Sequence, residues 1–173
     1  LSRNVARMAA AKGGDFTHPF KAAAPYLRQG DVVFCNLESP ISGRGKAIDK
    51  RYTFNAPAEA IAGLVYAGFN IVSLANNHIL DFGEIAATDT LEILAKNNIR
   101  AIGLSTGTTP QEPVIFDVRG MRIGFLAYCD PQTPYAYAKE FESFDLKPAR
   151  GDREVIARDI AALRSKVDMV VVS

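Results

Sequence analysis

Short apolar runs alternate with amphipathic stretches along most of this chain. Val32 to Cys35, Ile71 to Ala75, Ile99 to Gly103 and Val167 to Val172 have the length and composition of buried strands. Helical spacing recurs between them. Val5, Met8 and Ala9 mark one side of residues 2–12, and Phe20, Ala23, Ala24 and Leu27 recur before Gly30. Ile61, Leu64 and Val65 form an apolar face between Pro57 and Gly68, which suit the start and end of a helix. A further helix is predicted from Glu84 to Lys96, ended by Asn97-Asn98, and a last one around Val155, Ile156, Ile160 and Leu163. Strands alternating with helices predict parallel βαβ units over residues 31–103. Val114 to Val118 and Arg122 to Tyr128 flank a tight turn at Arg119-Gly120, which predicts an antiparallel hairpin near 114–128. Residues 129–148 carry prolines and tyrosines with no period and read as a long loop.

The expected class is therefore α/β, in a single domain over residues 1–173, since no linker or repeat divides the chain. A final strand that closes on Ser173 has no loop after it, yet such loops carry the chemistry of α/β sheets. The expectation is a domain incomplete at both ends.

Composition narrows the function only by exclusion. Hydrophobic residues make up 48% and charged residues 23%, which is ordinary for a globular protein. Twenty basic against nineteen acidic residues give no electrostatic footprint for nucleic acid or an anionic membrane surface. No apolar run approaches the roughly 18 residues of a membrane-spanning helix. Cys35 and Cys129 form neither a C-x-x-C pair nor a disulfide framework. P-loop and H-E-x-x-H motifs do not occur, and Gly43-Arg44-Gly45 is too short for a dinucleotide fingerprint.

Polar groups gather at two strand ends. After Ile71 to Ala75 come Asn76, Asn77, His78 and Asp81, and after Val32 to Cys35 come Asn36 and Glu38. Carboxamides and carboxylates offer oxygen ligands, and imidazole binds metal or carries a proton. Asn36 and Glu38, two apart in extended backbone, would face the same way. Plainer readings stand beside these. Asn76 and Asn77 suit a turn, and His78 suits a satisfied, partly buried position. Asp81, with Glu84 three residues later, fits a capping box for the following helix. Arg44, Lys46, Lys50 and Arg51 lie in a glycine-containing basic loop, placed either to contact an anionic substrate or simply to be solvated.

Asn36-Leu37-Glu38-Ser39-Pro40, Tyr52-Thr53-Phe54-Asn55-Ala56-Pro57 and Ala67 through His78, continued by Asp81-Phe82-Gly83, resemble the CapA-type poly-gamma-glutamate capsule biosynthesis proteins. The resemblance covers about residues 16–173. These proteins are similar to calcineurin-like metallophosphoesterases, which implies a β-sandwich flanked by helices and a site for two divalent metals, whether Mn, Mg, Fe or Zn. On that pattern Asn77 matches a metal ligand and His78 the residue that contacts phosphate or protonates the leaving group. Asn76 stands where the motif has Gly, and Ile79 where an acidic residue often follows the His, so Asp81 would substitute for it. The implied set is His78 and Asp81 as catalytic residues, Asn36, Glu38 and Asn77 as metal ligands, and Asn76, Arg44 and Arg51 as substrate contacts. The implied activity is metal-assisted phosphoester hydrolysis acting on an anionic small molecule or polymer in a cell-envelope setting, beside other capsule-synthesis proteins. The alternatives are a non-catalytic polymer-handling or partner-binding module, and a metal-dependent amide hydrolase acting on polyglutamate or peptidoglycan. The family's opening Gly-Asp strand and later histidine motifs are absent here, so this stretch is expected to show little activity by itself.

Overall fold

A computed structural model describes residues 1–107, 110–133 and 139–173. Helix α1 (Arg3–Ala11), a 3₁₀ turn at His18–Phe20 and the short α2 (Ala24–Leu27) lead into β1 (Phe34–Asn36). A 3₁₀ turn at Ala58–Ala60 then runs directly into α3 (Ile61–Ala67), with Pro57 before it and Gly68 at its end. The chain continues through β2 (Ile71–Ser73), α4 (Glu84–Lys96) and β3 (Arg100–Ile102). These strands form a parallel sheet in the order β1-β2-β3, so the βαβ units expected over residues 31–103 are present.

The chain kinks at Gly103 and enters β4 (Leu104–Thr106). The expected hairpin follows as β5 (Val114–Val118) and β6 (Met121–Leu126), joined through Arg119 and Gly120, both at positive φ. That two-residue turn matches the right-handed twist of the paired strands. β7 (Leu146–Pro148) pairs antiparallel with β4, and α5 (Arg153–Arg164) carries the chain to β8 (Met169–Val172), which lies parallel to β6.

Side-chain alternation explains the layering. Phe34, Ile71 and Ile102 on one face of the first sheet meet Val114, Phe116, Phe125 and Val171 of the second. Phe34 stacks on Phe125 at 6.4 Å between centroids, and Phe116 meets Phe125 edge-on at 5.9 Å. The opposite faces go to helices. Cys35, Val72 and Ala101 pack in the cluster holding Ala9, Leu64, Ala87 and Leu94. Ile115, Leu126 and Val170 pack with Ile160 and Leu163 of α5. The result is helix, sheet, sheet, helix, which is the flanked sandwich that the resemblance implied. Ile71 and Val72 are fully buried from opposite sides, so each contributes about 1.5–3 kcal/mol through burial.

Two expectations are corrected. Residues 129–148 are not one long loop, because Lys139–Phe141 forms a 3₁₀ turn and Leu146–Pro148 forms β7. A three-residue edge strand ending in proline leaves no local pattern, so only its pairing with β4 reveals it. Residues 134–138 of that stretch lie outside the described residues. The apolar run from Ile99 to Gly103 also continues past the kink, where Leu104 to Thr106 pairs in a different sheet.

Candidate active site at the strand tips

Parallel register sets Asn36 opposite Ser73, so β1 and β2 end side by side. Asn76 ties the two tips together. Its side-chain amide donates to Asn36 Oδ1 at 3.0 Å and to the Leu37 carbonyl at 3.1 Å, and its Oδ1 accepts the His78 backbone N–H at 3.0 Å. This use as a brace is what holds Asn76 at 6% exposure.

The turn that follows is built around Asp81, which is fully buried. Its Oδ1 accepts from Lys50 Nζ at 2.7 Å, and its Oδ2 accepts from the Phe54 backbone N–H at 2.7 Å. His78 Nδ1 also lies 2.7 Å from Oδ2. A carboxylate paired with an ammonium only accepts, so the assigned tautomer carries its proton on Nδ1. Lys50 Nζ donates further to the Asn77 carbonyl at 2.6 Å, and its side chain is only 4% exposed. The Phe54 ring stacks on the imidazole at 4.1 Å and 23°. Nδ1 and one ring face of His78 are thus occupied, and Nε2 remains the nitrogen for a ligand.

The capping-box reading of Asp81 and Glu84 is overturned. The residue before α4 is Gly83, with no side-chain cap, and Asp81 faces Lys50 and His78 instead. Glu84 reaches the other way and accepts the Leu146 N–H at 2.7 Å. The physical reason is burial: a carboxylate at zero exposure needs a cation more than a helix end needs a cap.

The basic loop folds onto this turn. Gly45 adopts φ +90°, and a Cβ there would lie 2.1 Å from the Phe82 carbonyl oxygen, so only glycine permits the approach. Arg44 pairs with Asp89 on α4, and Arg51 lies 5.1 Å over the Tyr52 ring. Arg44 and the Ser42 hydroxyl together lower the Asp89 carboxyl to about 2. A depressed carboxyl adds stability above its unfolded value near 4, and that stability is lost as pH falls towards 2. Asp89→Asn should therefore flatten the acid limb of the unfolding curve between about pH 4 and 2, measured by circular dichroism.

Asn36, Glu38 and Phe54 line a cavity of about 750 Å³, walled otherwise by Phe20, Leu64, Phe69, Cys35, Leu37 and the first five residues. Burial pushes the Cys35 thiol up to about 11, an inert state for a thiol. The strand tips are joined through Asn76, and Glu38 and Phe54 both line this cavity, whereas His78 is not among its lining residues. Among the described residues no group of three or more His, Cys, Asp or Glu converges. Asp81 is committed to Lys50, which leaves Glu38 as the carboxylate of the expected ligands Asn36, Glu38 and Asn77. Such a set would offer one arm of a metal site.

Sequence reasoning placed Lys50 among loop cations that either contact an anionic substrate or are solvated, and it gave Phe54 no role of its own. The available signal was Asp81 itself, set in the apolar run Ile79-Leu80-Asp81-Phe82, where a buried acid requires a partner.

The family model for bacterial capsule synthesis proteins matches residues 1–173. The chain belongs to that family. It is 27% identical over 135 residues to the capsule biosynthesis protein CapA of Bacillus anthracis, covering 75% of this chain and 32% of that protein. It is 27% identical over 176 residues to the PGA biosynthesis protein CapA of Bacillus subtilis strain 168, covering 99% and 45%. The chain thus spans less than half the length of these family members. A Staphylococcus aureus structure described as a 5'-nucleotidase, in complex with alpha-ketoglutarate, superposes with a TM-score of 0.54 over 91% of this chain and 30% of its own, at 15% identity. That likeness is one of fold, and the capsule synthesis chain has the phosphoesterase-type architecture. Among the described residues, no helix is long and apolar enough to cross a membrane.

Proposed function

We propose that this chain supplies the acid–base side of a hydrolase site within a capsule synthesis protein, acting on an anionic substrate of the poly-gamma-glutamate pathway in the cell envelope. The observation that carries the reading is the buried His78–Asp81 pair at the joined strand tips. Asp81 fixes the imidazole by Nδ1–H, so Nε2 can take a proton as a general base and then, as imidazolium, give it to a leaving group or stabilise developing negative charge. Asn36 and Glu38 would offer one arm for a divalent ion, with Asn77 on the adjoining turn. The remaining ligands and the bond cleaved, phosphoester or amide, belong to the whole protein.

The single-carboxylate donor set favours a second reading, a module that binds anionic polymer on the same fold without catalysis. One experiment separates the two. A protein carrying this chain at the length of its relatives is incubated with manganese and a generic phosphodiester, beside the 173-residue chain alone. Turnover by the long form and background rates from the short one are expected. No turnover from either, with retained binding of polyglutamate, would favour the binding module. Strong turnover by the short chain would overturn the divided site.

A further inference from the structure

We propose that Lys50 is a positioning residue for His78, a role that rests on the site described above. Arg44, Lys46 and Arg51 of the same loop are exposed, whereas the Lys50 ammonium is turned into the protein. It reaches both ends of the Asn77–Asp81 turn, donating to the Asn77 carbonyl at 2.6 Å and to Asp81 Oδ1 at 2.7 Å. The other Asp81 oxygen receives the Phe54 N–H and the His78 Nδ1 proton. Lys50 Nζ also lies 3.2 Å from His78 Nδ1, so ammonium, carboxylate and imidazole meet at one corner, and the bond to Oδ1 stops the carboxylate turning about its own bond.

The consequence falls on the ring. An Asp81 carboxylate fixed at both oxygens presents a lone pair to Nδ1 in one direction only. The Oδ2 contact at 2.7 Å is shorter than the 3.2 Å contact between Nδ1 and Lys50 Nζ, so the Nδ1–H tautomer is favoured and Nε2 keeps its lone pair outward. Phe54 closes the face at 4.1 Å, so the ring has no second stable orientation. Gly45, pressed on the Phe82 carbonyl, brings the loop close enough for Lys50 to make both bonds. Without the ammonium, Asp81 loses the partner of Oδ1, its carboxylate turns, and the imidazole samples both tautomers.

The chain has two histidines, which makes the test direct. Histidine labelled with ¹⁵N is read by long-range proton–nitrogen correlation at about pH 8.5, above the ordinary imidazole range. His18→Gln identifies the His78 signals. Wild type should show the Nδ1–H pattern alone, Lys50→Met should lose that single pattern, and Lys50→Arg should restore most of it. A folded Lys50→Met protein with an unchanged pattern overturns the proposal. An Nε2–H or mixed pattern in wild type overturns it too, and that measurement needs no variant to fold. The hydrolase reading fails separately, through unchanged turnover in His78 variants, and leaves the tautomer result standing.

Discussion

Asp81→Ala is expected to destabilise the fold by about 3–5 kcal/mol, the cost of stranding a buried charge whose partner is removed. Lys50 is 4% exposed in its side chain and cannot reach water without unseating the loop that carries it. The Phe54 N–H and His78 Nδ1 lose their acceptor in the same step, each at a further cost of about 1–3 kcal/mol if left unpaired. Against a total stability of about 5–15 kcal/mol for a domain of this kind, that is a large share. The measurement is urea unfolding followed by far-UV circular dichroism, with the midpoint and slope fitted together. Lys50→Met combined with Asp81→Leu gives the informative comparison. Replacing both charges with apolar groups removes the stranded ion, so the double variant should be more stable than Asp81→Ala alone. It should still fall short of wild type, because the Phe54 N–H and the Asn77 carbonyl lose their partners. An Asp81→Ala protein within about 1 kcal/mol of wild type would mean that the buried pair does not organise this turn.

The same pair shows where sequence reasoning reached and where it stopped. Periodicity exposed α4 from Glu84 to Lys96 and the hairpin around Arg119-Gly120 because both are fixed by neighbours in the chain. The strand tips were also legible, since a buried run that ends in polar residues marks the carboxyl edge of a sheet. β7 was not, because Leu146 to Pro148 is a strand only through its pairing with β4. The Asp81–Glu84 spacing satisfied a local rule for capping, yet a contact from Lys50, 31 residues earlier, decided the outcome. Asn76 illustrates the middle case. Its residue type suggested a turn or a substrate contact, and its geometry makes it the brace between β1 and β2. Local patterns name elements well, whereas the direction of a loop side chain depends on what lies buried opposite it.

His78→Asn in the protein at the length of its relatives is expected to lower kcat/KM on its anionic substrate by about 10²–10⁴-fold, the usual contribution of a positioned proton donor or base. Asparagine keeps an N–H donor for Asp81 and fits beneath Phe54, so the melting temperature should change little. That separation matters, because Asp81→Ala confounds loss of fold with loss of chemistry. If His78 acts in the transition state, kcat should fall while KM stays near its wild-type value. If it only holds bound anion, KM should rise and kcat should survive. His18→Gln serves as the matched control, since His18 lies in the 3₁₀ turn at His18–Phe20 rather than at the strand tips. Full turnover by a folded His78→Asn protein would reduce the joined tips to a structural brace. The anionic polymer would then have to be handled by another surface of the family fold.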